Sequence, residues 1–212
     1  MSQPYASSAL VRLLTSLIDH EGEFRELDAA AGDGDLGITV RSTATAVLEW
    51  LPNIGAGSTA ELLVGIAQVC ASTSPSTFTS LVSRGLSAAA KALGEPQRDD
   101  LSSLVVALEA GIAMIQRRGG AKPGDKTFLD ALMPALEAAR SATSVTEALP
   151  LMRVAAIAGT EQTAPATPQH GRAAWVGERA RGVPDAGSVV VIRALEALEG
   201  TGGQPWNGRV AS

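Results

Sequence analysis

The sequence contains little cysteine, histidine or aromatic residue, and each shortage excludes a class of protein. Cys70 is the only cysteine, so the chain can form no disulfide within itself, and we expect a reducing, cytoplasmic location. One cysteine and two isolated histidines, His20 and His170, form neither a zinc site of familiar spacing nor a Cys/His or Ser/His/Asp arrangement. Aromatic residues make up 3% of the chain and its net charge is -5. Both values argue against nucleic-acid binding, which combines a basic surface with stacking rings.

The sequence also has no apolar run that we interpret as a membrane span. The charge-free run 62–83 is long enough, but it contains Pro75 within a cluster of hydroxyl residues. This composition predicts a loop between two helices. The N-terminus has no basic region before its apolar stretch, and Arg12 interrupts that stretch, so we expect no signal peptide.

The pattern of apolar residues predicts an all-α fold. Alanine and leucine are abundant, and apolar residues recur at spacings of three and four. The pattern predicts eight helices, at 4–20, 38–51, 59–72, 76–93, 98–118, 127–143, 145–163 and 187–199. The connections are short, which favours an antiparallel up-and-down bundle or closed barrel. We expect one domain over residues 1–200, followed by a flexible, Gly-rich tail at 201–212.

The stretch "LDAAAGDGDLGIT", residues 27–39, holds the strongest chemical signal. Asp33 and Asp35 are two residues apart, so in an extended backbone their carboxylates point to the same side. The intervening glycines allow the tight path that would bring Asp28 beside them. Three such carboxylates repel one another unless a hard cation lies between them, and Mg²⁺ fits best. The alternative is that Asp33 or Asp35 merely caps the following helix and the rest are solvated.

Three further loops are suited to anions. The segment 118–136 almost matches a P-loop, but Asp125 precedes the lysine and no strand precedes the loop. We therefore interpret it as a loop before a helix N-terminus, with Asp125 as a plausible N-cap. The segment 170–192 carries three arginines suited to phosphate, Arg172, Arg179 and Arg181, and the segment 70–78 is rich in hydroxyls.

Together these loops predict a site for a nucleotide with its metal at one end of the bundle. The sequence shows no obvious nucleophile or general base. Phosphoryl transfer is consistent with that, because it depends mainly on positioning and on charge stabilisation.

Three motifs resemble the nucleotide-binding L subunit of dihydroxyacetone kinases. These are "DAAAGDGDLG", "GGAKPGDKTFLDALMPAL" and "GRAAWVGERARGVPDAGS", which occur in the order and at the spacing of that family. The resemblance covers residues 5–200. It implies an eight-helix antiparallel barrel with the nucleotide at one end, and a role in glycerol and short-ketose metabolism.

The resemblance also implies which residues form the site. Two Mg²⁺ ions would be held by Asp28, Asp33 and Asp35, and would bridge the phosphates of ADP or ATP. Arg172 would offset phosphate charge as the catalytic residue. The remaining nucleotide contacts would be Leu36, Gly37, Ile38, Thr39, Ser72, Thr73, Gly119, Phe128, Arg172, Asp185, Ala186 and Gly187. The family has His at the position of Leu36, Asn at that of Thr39 and Gly at that of Ser74, so side-chain contacts to phosphate are expected to differ here.

In that family a separate K-type subunit or domain holds the ketose covalently through a histidine. The phosphoryl donor is either free ATP or a sugar phosphotransferase system that rephosphorylates a resident ADP, and the sequence does not decide between them. Dihydroxyacetone, erythrulose and other short ketoses all remain candidate acceptors. Two other functions stay open: a non-catalytic nucleotide-binding module that docks a partner, and a helical structural protein whose aspartates are caps.

Overall fold

The computed structural model describes residues 3–54, 57–93, 100–171 and 173–200. This part of the chain contains ten α-helices and two short 3-10 helices, at Leu51–Asn53 and Gly177–Ala180, and no strand. The α-helices are α1 Gln3–Asp19, α2 Glu21–Ala31, α3 Leu36–Trp50, α4 Thr59–Thr73, α5 Thr77–Leu93, α6 Leu101–Gly119, α7 Leu129–Ser141, α8 Val145–Thr163, α9 Ala173–Val176 and α10 Ala186–Glu199. The prediction of an all-α fold is confirmed.

Eight of these helices form a closed ring. Each of α1, α3, α4, α5, α6, α7, α8 and α10 packs against the next, and α10 also packs against α1. Neighbours run antiparallel. Gln116, late in α6, contacts Met133 near the start of α7, whereas Glu109, earlier in α6, pairs with Arg140 near the end of α7. Alternate helices therefore begin at the same end of the ring. This end, here called the site end, holds the first residues of α3, α5, α7 and α10.

Small residues set the spacing of the ring. A Cβ added to Gly111 of α6 would lie 3.3 Å from the Gly85 carbonyl oxygen of α5, and one added to Gly159 of α8 would overlap the Asp130 carbonyl oxygen of α7. The core between α7, α8 and α10 is built largely from alanines, with Met152 and Ile192 filling the space that remains. Backbones can approach this closely because little side-chain volume lies between them.

Two α-helices were not predicted from the sequence. Helix α9 is a single turn within the long loop at 170–185. Helix α2 is larger; it lies where we predicted no helix, and its last five residues belong to the acidic stretch 27–39. It lies outside the ring against α3 and α10. Arg193 of α10 holds it there, because the buried guanidinium donates to both carboxylate oxygens of Glu23, at 2.8 and 2.6 Å.

Helix boundaries follow recognisable capping residues in several places. The side chains of Ser58, Asp100, Ser144 and Asp185 each accept a backbone N–H from the first turn of α4, α6, α8 and α10 respectively. Asp125, in contrast, is not the cap of α7: that helix begins two residues later than predicted, and Phe128 occupies its N-cap position. No helix in the described ranges is long and apolar enough to span a membrane. The predicted tail at 201–212 lies outside the described residues.

Candidate metal centre and the loops around it

Three aspartates converge between α2 and α3. One carboxylate oxygen from each of Asp28, Asp33 and Asp35 lies within 4.8 Å of the others. Asp28 and Asp35 are half-buried and Asp33 is exposed. The predicted trio is thus brought together, within the range over which carboxylate oxygens can share a cation.

The local backbone differs from the extended path that the sequence suggested. Asp28 lies in the last turn of α2, and Asp35 has α-region dihedrals, φ -87° and ψ -13°. The turn between them depends on Gly34, whose φ of 78° favours glycine. The carboxylates therefore meet because a helix ends and another begins at a sharp turn, and not because they alternate along a strand.

Asp28 also fixes the start of α3. Its Oδ2 accepts the Leu36 backbone N–H at 3.0 Å, which satisfies one of the first N–H groups of the helix. Asp35 occupies the N-cap position but its side chain makes no capping hydrogen bond. The Asp35 side chain is therefore not the cap of α3, and Asp28 accepts a first-turn N–H from across the turn.

The electrostatics of the cluster favour a cation. Burial raises the pKa of Asp35, and the nearby carboxylate of Asp28 raises it further. A cation placed among the carboxylates would offset both effects, because it stabilises the ionised form. The N-terminus of α3 adds positive partial charge and free N–H groups on the same side, so an anion that is bridged to the cation is stabilised as well.

The predicted contact residues of α3 face two ways. Leu36 and Thr39 are buried, and Leu36 packs with Phe24 and Val190. Ile38 is 58% exposed. Side chains at positions 36 and 39 therefore point into the core, and what this turn offers a ligand is its backbone. That arrangement accommodates Leu36 and Thr39 in place of the polar residues of the resembled family.

Buried packing joins the other loops of the site end. The rings of Phe78 and Phe128 meet edge-on with their centroids 5.3 Å apart. A Cβ added to Gly187 would lie 3.2 Å from Phe128 Cβ and 3.5 Å from the Phe78 ring. A Cβ added to Gly119 would lie 3.5 Å from the Leu81 side chain of α5. The first turn of α10, the start of α7 and the start of α5 are thus in contact, as the prediction of one clustered end requires.

The other predicted nucleotide contacts that the structure describes lie at the same end. Ser72 and Thr73 form the last turn of α4, and their hydroxyls both donate to the Val69 carbonyl oxygen, at 3.1 and 2.7 Å. Ala186 packs with Leu36 in the core beside the aspartates. Arg172 lies outside the described residues.

Asp185 caps α10 within this end. Its Oδ2 accepts the Ser188 N–H at 2.7 Å and the Ser188 hydroxyl at 3.1 Å. The same hydroxyl lies 3.1 Å from the Thr127 carbonyl oxygen and links α10 to the loop before α7. Burial raises the pKa of Asp185 to about 6. Proximity to Asp130 adds to this rise, whereas the Ser188 hydrogen bonds and Lys126 oppose it.

Lys126 has a structural role that the sequence did not reveal. It is 3% exposed and has a φ of 62°, unusual for a residue other than glycine. Its Nζ donates to three carbonyl oxygens, those of Ala164, Ala166 and Ala180, at 2.7, 3.0 and 2.7 Å. The ammonium is fully engaged with backbone, so it is not the phosphate-binding lysine of a P-loop. The only sequence signal was a lysine in an unusual Gly-Pro loop.

A second set of hydrogen bonds joins the loop before α7 to the segment between α8 and α10. The His170 Nε2 lies 2.8 Å from Asp125 Oδ2, and the Gln169 N–H donates to the Asp125 carbonyl oxygen at 3.1 Å. Arg181, one of the three arginines suggested for phosphate, donates instead to the Pro165 carbonyl oxygen and pairs with Glu178. These contacts give the loop at 164–185 a defined path over the site end.

Comparison with known proteins agrees with this architecture. The family model described as the DAK2 domain matches residues 30–200. The chain is 34% identical to L-erythrulose 1-kinase of Mycolicibacterium smegmatis, over 85% of this chain and 32% of that protein. It is 31% identical to human triokinase/FMN cyclase, over 89% of this chain and 33% of that protein.

Solved structures show the same fold. The crystal structure of the dihydroxyacetone kinase of C. freundii in complex with AMP-PNP and Mg²⁺ matches with a TM-score of 0.79 and 26% identity. The match covers 94% of this chain and 34% of that one. The chain thus spans about a third of the length of these relatives.

The family match at residues 30–200 covers Asp33, Asp35 and the loops of the site end, and it leaves out α1, most of α2 and Asp28. The structural match extends over nearly the whole ring. The chain therefore belongs to the DAK2 domain family, the L-subunit type of domain found in dihydroxyacetone kinases.

Proposed function

We propose that this chain is the nucleotide-binding L module of a ketose kinase of the dihydroxyacetone type. The observation that carries the proposal is the convergence of Asp28, Asp33 and Asp35 at the N-terminus of α3. Support comes from the relatives, which are kinases of short ketoses, and from the AMP-PNP and Mg²⁺ complex of the C. freundii kinase.

The residues of the cluster fit the proposed metal. Oxygen ligands at this spacing suit Mg²⁺, and we propose two ions, held by the three aspartates. When bound, Mg²⁺ would neutralise charge on the phosphates of ADP or ATP. Asp28 belongs to the cluster and also accepts the Leu36 N–H, so we propose that metal binding and the orientation of α3 are coupled.

The chain's own residues would position the nucleotide. The N–H groups of Leu36 and Thr39 already donate to Asp28 Oδ2 and to the Asp35 carbonyl oxygen, so those that this helix start would present to a phosphate are the N–H groups of Gly37 and Ile38. We propose that Ser72, Thr73, Gly119, Phe128 and residues 185–187 complete the nucleotide contacts, with Arg172 as the residue that offsets phosphate charge. The ketose would be held by a separate K-type partner, and the phosphoryl donor would be ATP or a phosphotransferase system.

Asp33→Asn tests the metal assignment. The amide keeps the size of the carboxylate but loses its charge, so we expect Mg²⁺-dependent ADP affinity to fall by at least about a hundredfold, the scale of about 2.7 kcal/mol. Isothermal titration calorimetry with ADP, with and without Mg²⁺, measures this. Glu26→Gln is the matched control, because Glu26 is an exposed carboxylate of α2 outside the cluster.

Equal affinity in the wild type and Asp33→Asn would overturn the metal site. Thermal unfolding gives a second readout: Mg-ADP at 100 times its Kd is expected to add about 2.7 kcal/mol to the free energy of unfolding. Phosphoryl transfer to dihydroxyacetone or erythrulose, with a ketose-binding partner added, then separates a kinase module from a nucleotide-binding docking module. Binding without transfer would favour the docking module.

A further inference from the structure

A long groove runs between α5 and α6 on the outer surface of the ring. It encloses about 1030 Å³. One wall follows α5, where Ser80, Arg84, Ser87 and Lys91 recur at spacings of four, three and four and so share a face. Met114 and Arg118 of α6 form the other wall, and residues 74–76 close the groove at the site end.

The groove is positively charged, although the chain as a whole is acidic. Among the described residues its lining includes three cations, Arg84, Lys91 and Arg118, and no carboxylate, whereas the net charge of the chain is -5. Within the described ranges none of these three pairs with an acid, in contrast to Arg41, Arg140, Arg153, Arg181 and Arg193, which all do. All three are exposed, so this charge is available to a binding partner.

The dimensions favour an extended peptide. From Ser76 to Lys91 a helix rises about 22 Å at about 1.5 Å per residue, which is the length of about seven residues of extended chain at about 3.3 Å each. A single phosphate would occupy only a part of that length. The serines along the α5 wall are small, and the hydroxyls of Ser83 and Ser87 already donate to backbone carbonyl oxygens, those of Ala67 and Ser83, at 2.7 and 2.9 Å, so the wall leaves room for an extended backbone between the cations.

The composition of the groove disfavours a nucleic acid. The part of the lining that the structure describes contains no aromatic ring on which a base could stack, and the acidic chain lacks the basic field of such proteins. We infer that the α5–α6 groove is a docking surface for an acidic, extended segment of a partner protein. Because the groove reaches the α4–α5 loop, a partner docked in it lies beside the site end. The inference does not depend on nucleotide binding.

A labelled octaglutamate peptide tests the groove by fluorescence anisotropy. The peptide is expected to bind the wild type at low ionic strength and to weaken at about 0.15 M salt, where the Debye length is about 8 Å. In Arg84→Glu/Arg118→Glu the affinity should fall by at least about tenfold, since both changes place like charges against the peptide. Arg84→Gln/Arg118→Gln, which removes the charges without reversing them, should show a smaller loss in the same direction.

Arg12→Glu/Arg25→Glu is the matched control. It makes the same change in net charge, and both residues are exposed on α1 and α2, which do not pack against α5 or α6. We expect its affinity to stay within about twofold of the wild type. An equal loss in both glutamate variants, or no peptide binding by the wild type, overturns the inference. So does tighter binding of a single-stranded oligonucleotide of equal charge at the groove arginines. Mg-ADP affinity of each variant, measured in parallel, shows whether the proposed nucleotide site is intact.

Discussion

Gly37 is a single residue on which the geometry of the site depends. It lies where α3 crosses α2. A Cβ at this position would overlap the Glu21 carbonyl oxygen and lie 2.9 Å from the Arg25 backbone nitrogen. Both obstacles belong to the backbone of α2, which cannot rotate away as a side chain can. The close crossing places Asp28 beside the start of α3, so a single missing Cβ supports the geometry of the carboxylate cluster.

Gly37→Ala is therefore expected to destabilise the protein by about 2 kcal/mol or more, because α3 must move away from α2. Urea unfolding measures the loss. Gly22→Ala is the control, since a Cβ there meets nothing within 4 Å and alanine is favoured over glycine in a helix by up to about 1 kcal/mol. If both variants unfold at the same urea concentration as the wild type, the close crossing does not constrain the fold.

The ionisation of Asp185 makes the stability of the protein depend on pH. In the folded state its pKa is raised to about 6 by burial, against an ordinary value of 3.8. The folded protein therefore retains a proton that the unfolded chain has already released, so stability falls as the pH rises from about 4 to about 6.

Asp185→Asn isolates this effect. Asparagine caps a helix about as well as aspartate, but it does not titrate. The wild type is expected to lose stability relative to Asp185→Asn between pH 4 and pH 7, as measured by urea unfolding at each pH. A constant difference across this range would mean that the carboxyl titrates normally.

Helix α2 is the larger of the two secondary-structure elements that the sequence pattern did not predict. Of its eleven residues only Phe24 and Ala31 are buried, so its apolar pattern is too sparse to predict a helix. Tertiary contacts stabilise it instead: Gly37 admits it against α3, and the guanidinium of Arg193, which is 2% exposed, pairs with Glu23 and Glu196.

Arg193→Met should cost about 3 to 5 kcal/mol, because it removes a buried guanidinium that pairs with two half-buried carboxylates, Glu23 and Glu196. Amide hydrogen exchange is expected to rise most in α2, which Arg193 ties to α10. Arg153→Met is the matched control: it removes another arginine paired with an acid of α10, at a more exposed position, and should cost about 1 kcal/mol or less. Unchanged exchange in α2 would show that its packing alone holds it.

Lys126 connects parts of the whole molecule that are far apart in the chain. It joins the loop before α7 to carbonyl groups that lie 38, 40 and 54 residues further along the chain. The ring is thereby covered at its site end by one connected network, to which the His170–Asp125 and Ser188–Thr127 contacts belong. Loops that approach a ligand need such anchors, because the ring packing does not reach them.

Lys126→Met removes the donor from three carbonyl groups and should cost about 3 kcal/mol. Trypsin cleavage after Arg179 and Arg181 is expected to accelerate by at least about tenfold, since local opening that is easier by about 1.4 kcal/mol raises the open population tenfold. Lys122→Met removes an exposed lysine of the same loop and should cleave at the wild-type rate at these sites. Equal cleavage in both variants would rule out the anchoring role.

The sequence by itself determined the fold class, the approximate bounds of the eight helices of the ring and the three aspartates of the cluster. These features depend on short-range patterns: apolar spacing, capping residues and the density of acidic residues among glycines. The motif resemblance added the family, which the comparisons confirm. The roles of the nucleotide contacts stay predictions.

Only the tertiary structure decided how the aspartates meet, where Lys126 and Arg181 point and what holds α2 in place. Each of these depends on contacts between residues far apart in the chain, such as Glu23 with Arg193 or Lys126 with Ala180. A local pattern carries no record of such partners, because the free energy that selects them comes from burial and hydrogen bonding in the assembled ring.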